Sequence, residues 1–100
     1  MTNLTNLLRE EVRDYATSAF KGKLYFSVSE DETFYSVTFV PDADYPAKVE
    51  IDIVIAACII DNIILVEKDS TDKPLYKELL RRGIPREQII LRYAGEKTPD

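Results

Sequence analysis

The sequence predicts a single α+β domain spanning residues 1–100, with helices packed on one face of an antiparallel β-sheet in the order α-β-β-β-β-α-β. Three observations predict it. Apolar residues recur at helical spacing near both ends. Short β-branched or alternating runs, separated by turn residues, fill the middle. A chain of 100 residues, 45% hydrophobic and 31% charged, has material for one core and no more.

The elements follow in order. Leu4, Leu7, Leu8, Val12, Tyr15, Ala16 and Phe20 recur at helical spacing, with Glu10, Glu11, Arg13 and Asp14 mostly opposite, so residues 3–20 read as an amphipathic helix. Thr2 or Asn3 can cap its start and Gly22 its end. Leu24, Phe26 and Val28 alternate with Tyr25, Ser27 and Ser29, and a second strand follows the acidic turn Glu30-Asp31-Glu32. Residues 41–47, with two prolines and two aspartates, read as a loop.

Asp61-Asn62 then separates two β-rich runs, and Asn tolerates the positive φ of a two-residue hairpin turn. With that turn, Ile60 faces Ile63, Cys58 faces Leu65 and Ala57 faces Val66. One face carries Val49, Ile51, Ile53, Ile55, Ala57, Ile59, Ile64 and Val66. The other carries Asp52, Val54, Ala56, Cys58, Ile60, Ile63, Leu65 and Glu67. A second helix buries Leu75, Tyr76, Leu79 and Leu80. Ser70, Thr71 or Asp72 can cap it, Pro74 fits its first turn, and Gly83-Ile84 closes it with a left-handed residue and an apolar contact. Pro85 opens a turn into a last strand, Ile89–Tyr93, and residues 95–100 read as a frayed tail.

Composition narrows the chemistry. Thirteen Lys+Arg against 18 Asp+Glu leave a net charge of −5, which repels nucleic acid unless the basic residues cluster. Histidine is absent, so no Ser-His-Asp or Cys-His pair and no HExxH helix can form. One cysteine allows neither an internal disulfide nor a structural zinc site and fits a reducing cytoplasm. Three scattered glycines make no phosphate-cradling loop. No basic-then-apolar leader opens the chain, and the apolar run 51–66 is too short and too charged to span a bilayer. The reading is a cytoplasmic protein with no membrane segment, no cofactor, no metal and no catalytic residue.

Three surfaces remain as candidates. The second sheet face, with Ala56, Cys58, Ile60, Ile63 and Leu65, is too apolar for a wetted face, and another subunit, the first helix or the 41–47 loop must cover it. Arg92 and Tyr93 near the C-terminus extend this interface, since Tyr and Arg are favoured at protein contacts. Arg81, Arg82 and Arg86 form a basic group that could touch DNA phosphates, although the helix C-terminus already accounts for Arg81 and Arg82. Glu50, Asp52, Asp69 and Asp72 could group around a hard cation, as a metal-dependent nuclease would need, but their spacing is not diagnostic. Cys58 reads as a small apolar filler.

The segment 61–96 carries an ordered set of motifs: the Asp61-Asn62 turn, the strand Ile63–Val66, Asp69-Ser70-Thr71, a helix, Gly83-Ile84-Pro85 and the closing Gln88-Ile89-Ile90-Leu91. Together with Asp14-Tyr15-Ala16 in the opening helix, this set resembles the XisI family, the fdxN-element excision controlling factors of cyanobacteria. The resemblance implies an accessory role beside a site-specific recombinase in excising a DNA element. It also implies a nuclease-like XisH-type partner, in a hetero-complex or beside a homodimer. Departures are visible: the chain has no Trp or His, and Arg92-Tyr93-Ala94-Gly95 stands where many members have Phe-His and a Pro.

Overall fold

A computed structural model describes residues 3–44 and 49–97. Two helices, α1 (Leu4–Arg13) and α2 (Leu75–Arg81), accompany five strands: β1 (Gly22–Val28), β2 (Phe34–Pro41), β3 (Asp52–Ile60), β4 (Ile63–Asp69) and β5 (Ile89–Leu91). The sheet order is β1-β2-β3-β4-β5. The predicted fold class and element order hold. Strands β1 to β4 form an antiparallel meander, and β5, returned by α2, runs parallel to β4. No described helix is long and apolar enough to cross a membrane.

The core lies between the helices and one sheet face. Leu8, Val12, Leu75 and Leu79 meet Tyr35, Val37, Ile55, Ile64, Val66 and Ile89, all fully buried. The local devices are those that the sequence announces. Asp61 and Asn62 take φ of 50° and 63°, the left-handed pair of a tight hairpin, and the register places Ile60 opposite Ile63 and Cys58 opposite Leu65. Gly83 sits at φ 93°, and the Ile84 N–H reaches the Leu79 carbonyl at 3.1 Å while its side chain is buried, which closes α2 as a Schellman turn.

Three expectations are corrected. Helix α1 stops at Arg13 rather than near residue 20: Tyr15 and Ala16 donate to Val12 and Arg13, tightening the last turn, and the Tyr15 hydroxyl donates to the Lys73 carbonyl. Thr17 and Ser18, poor helix formers, follow without regular secondary structure, and Phe20 is 77% exposed. Gly22 opens β1 instead of ending the helix, because a Cβ there would lie 2.4 Å from the Phe39 ring and 2.7 Å from the Val40 carbonyl oxygen. The last strand ends at Leu91, and Arg92–Ala94 form a 3₁₀ turn closed by Gly95 at φ 89°.

The face assignment is corrected at one end. The β2–β3 register jumps between Val37/Ile55 and Thr38/Ile53, so Val54 is the extra residue of a bulge. Because side chains alternate, one inserted residue exchanges the faces beyond it. Val54 packs against the core and Ile53 is 41% exposed on the other side, while Ile51 and Val49, expected on one face with Ile55 and Ala57, are also exposed.

The segment expected to fray is anchored at Glu96. Its carboxylate accepts the Leu91 N–H at 2.9 Å and pairs with Arg86 at 2.6 Å. Residues 98–100 lie outside the described residues, as do 45–48 and with them the last three residues of the predicted 41–47 loop, whose Pro41 belongs to β2.

Candidate interaction face

The sheet face away from the helices is assembled by cross-strand rows. Tyr25, Thr38 and Ile53 form one row; Ser27, Ser36, Ala56 and Lys68 the next; Phe34, Cys58, Leu65 and Ile90 the third; Ile60 and Ile63 stand at the hairpin end. Neither described helix packs on it: both deliver their buried side chains to the opposite face. Of the expected interface residues, Ala56 and Leu65 are buried in mid-row, Cys58 and Ile63 half-buried, and Ile60 54% exposed. Phe34, at 37%, and Ile53 complete the exposed apolar part, and the face-by-face reading of the central strands overlooked both. The signal for Phe34 was present: it alternates with Ser36 and Thr38 against Tyr35 and Val37, which marks it as pointing away from the core.

Glu67, the extra residue of a second bulge, organises one end of this face. Its carboxylate accepts a weak bond from Cys58 Sγ at 3.9 Å and pairs with Arg92 Nε at 3.3 Å. Burial, then the Glu67 carboxylate, push the Cys58 thiol upward, so it is the protonated, unreactive form that occupies the face. Arg92 and Tyr93 divide between two sides. Arg92 joins Glu67, whereas Tyr93 is raised by burial and by Asp69, Tyr76 and Glu96, groups on the α2 side.

The arginine group is drawn into the fold. Arg82 spans from α2 to α1, pairing with Glu11 at 2.7 Å and Glu10 at 2.9 Å. Arg86 pairs with Glu96, donates to the Ile89 carbonyl and lies 5.8 Å from the Tyr76 ring centre. Arg81, whose side chain is 71% exposed, meets Glu78 at 3.1 Å. Glu11 and Glu78 are both buried, so Arg82 offsets a charge held out of water. Arg82→Ala should therefore lower the melting temperature by several degrees, and Arg81→Ala by little, in thermal unfolding followed by circular dichroism.

The acidic candidates are not brought together. Asp52 pairs with Lys68 at 2.8 Å, and Asp69 spends both oxygens on the chain. Among the described residues, no three His, Cys, Asp or Glu gather in a way that could hold a metal ion. Asp69 is the helix cap that local spacing did not reveal. Its Oδ2 accepts the Leu75 N–H at 2.7 Å, and its Oδ1 accepts the Thr71 N–H and hydroxyl at 3.0 and 2.6 Å.

A shallow cavity of about 190 Å³, also unforeseen, lies where α1 meets the start of α2, lined by Glu11, Asp14, Tyr15, Lys73 and Glu78. Its carboxylates Glu11 and Glu78 are held by Arg82, Lys73 and Arg81. Burial, then the charges of Asp69, Glu78 and Glu11, raise the Tyr15 phenol above its ordinary 10.0. The Leu91 N–H and Arg86 hold Glu96 below its ordinary 4.5.

The signs give a pH profile. Glu96 contributes stability above about its ordinary value that is lost as pH falls through its lowered one; Tyr15 contributes below 10.0 and loses it as pH rises through its raised one. With no histidine, the urea midpoint should be level across neutral pH and fall on both sides, and Tyr15→Phe should lessen the alkaline fall, which the raised Cys58 and Tyr93 share, and leave the acid side unchanged.

Comparison with known proteins places this geometry. The family model described as XisI protein matches residues 4–99. A crystal structure of a XisI-like protein from Anabaena variabilis ATCC 29413 is 23% identical, covering 97% of this chain and 90% of that one with a TM-score of 0.77. The fdxN element excision controlling factor XisI of the same organism is 19% identical, covering 89% and 91%, with a TM-score of 0.63. No curated protein matches. The two structures share the fold.

Proposed function

The chain belongs to the XisI family, and from that premise we propose that it is a non-enzymatic accessory factor in excision of a DNA element, acting by holding a protein partner against the second face of its sheet. The role comes from a similar structure, which is called an excision controlling factor. The observation that carries the mechanism is the run of apolar side chains on that face, where Phe34, Ile53 and Ile60 are 37%, 41% and 54% exposed. Such a patch on an acidic domain without histidine suits a partner contact rather than chemistry. The partner is a nuclease-like XisH-type protein or the recombinase itself, met in the cytoplasm.

The test is a titration of the purified chain with its XisH-type partner by calorimetry. Ile60→Glu and Phe34→Glu each put a charge into the exposed apolar part of the proposed contact and should weaken binding by about 30-fold or more. Both positions are exposed, so unfolding should shift by only about 0.5 kcal/mol. Undiminished affinity in both variants sinks the assignment of this face. DNA binding by the chain alone, steeply salt-dependent and lost when Arg81, Arg82 and Arg86 become alanine, would favour direct DNA contact instead.

A further inference from the structure

We propose that the outer edge of β1 pairs with the same edge of a second copy of this chain, giving an antiparallel dimer with one sheet continuous across both molecules. This goes beyond the partner contact above, which uses the face of the sheet rather than its edge. β1 is an edge strand of seven residues. Its pairing with β2 keeps one register from Gly22 to Val28 without a bulge. It contains no proline, and Lys23 is its only charged residue. Edge strands left long, straight and nearly uncharged are pairing sites, and natural proteins usually guard them. The other edge, β5, has only three residues. Among the described residues no strand pairs with the outer side of β1, where only Ala19 bridges to Gly22 at its start.

The groups on that edge can be named. Ser29 N–H donates to Phe34 and Asp42 N–H to Lys21, which fixes the odd-numbered residues as bonded to β2. The N–H and C=O groups of Leu24, Phe26 and Val28 therefore point outward. A two-fold axis through Tyr25 pairs the central groups: Leu24 then faces Phe26 of the second copy and Phe26 faces its Leu24, while Gly22, already bridged to Ala19, lies opposite Val28. Lys23 meets Ser27 rather than another lysine, and Tyr25, 49% exposed, meets its own copy. The same arrangement brings the basic end, Lys21 and Lys23, beside the acidic turn Glu30-Asp31-Glu32 of the second molecule. That charge match, with the self-complementary register, selects a second copy over an unrelated strand.

The first measurement is the absolute mass of the full chain by light scattering after size exclusion, where a dimer has twice the 11.5 kDa of the chain. Tyr25→Glu places like charges at the symmetry axis and should weaken self-association at least tenfold. Residues opposed in a non-hydrogen-bonded pair lie about 4.5 Å apart at Cα, within disulfide reach. In a Cys58→Ala background, Tyr25→Cys should form a covalent dimer under mild oxidation at least tenfold faster than Lys23→Cys. A native mass of one chain, or equal cross-linking at the two positions, overturns the proposal. A dimer abolished by Ile60→Glu but not cross-linked by Tyr25→Cys also overturns it, and leaves the sheet face as the contact. Loss of partner binding in Ile60→Glu with the Tyr25 cross-link intact supports the edge and the face separately.

Discussion

Leu8→Ala is expected to lower the free energy of unfolding by about 3–4 kcal/mol, in the range of buried leucine truncations. Leu8 is fully buried in the cluster shared by α1, α2 and the sheet, beside Val12, Leu75, Leu79 and Tyr35. Neighbours from three directions cannot all move into the space, so the cavity remains and its cost is added to the lost transfer energy. A domain of this size has roughly 5–15 kcal/mol in total, so the variant is brought near its folding threshold. The urea midpoint should fall with little change in the slope. Leu4→Ala, on the same helix but only partly buried, should cost much less; equal costs would contradict the placement of the core.

Asp69→Ala is expected to cost about 2–3 kcal/mol, which is large for a residue that is not fully buried. One carboxylate closes the β4–α2 junction by accepting from the Thr71 N–H, the Thr71 hydroxyl and the Leu75 N–H. Pro74, at the cap position, supplies no side-chain acceptor, so the first turn of α2 depends on this reach across six residues. Asp69→Asn should recover part of the loss, since one amide oxygen can still accept while the NH2 faces a donor. Asp72→Ala, at an exposed neighbour, should change stability by about 0.5 kcal/mol or less. Hydrogen exchange at the Leu75 amide checks the same bond and should accelerate in both Asp69 variants.

What could be read directly from the sequence was what a few adjacent residues decide. Asp61-Asn62 and Gly83-Ile84 need left-handed backbone at fixed places, and few residues tolerate it, so the hairpin register and the end of α2 were legible. With that register, Ala56, Cys58, Ile60, Ile63 and Leu65 fell on one face, where the fold has them. What escaped depended on distant partners. The bulge at Val54 is set by how β3 meets β2, and it sent Ile53 to the other side without any mark in the local alternation. Helix α1 ends where the Tyr15 hydroxyl finds the Lys73 carbonyl, a contact across 58 positions. The arginines read as a loose basic group because their carboxylates, Glu10, Glu11 and Glu96, lie far along the chain or around a turn.

The sheet order has a consequence for how the chain is made. Each strand from β1 to β4 pairs with the next strand synthesised, so these closures span short loops and low contact order favours folding on the order of milliseconds. α1 is the exception, since it packs on β2, β3 and α2. It is made before the strands and α2, so Leu8 and Val12 are fully enclosed only once Leu75–Arg81 has followed. The apolar stripe of this amphipathic helix is therefore only partly covered until α2 is made, and a chaperone acting on the nascent chain would find it there.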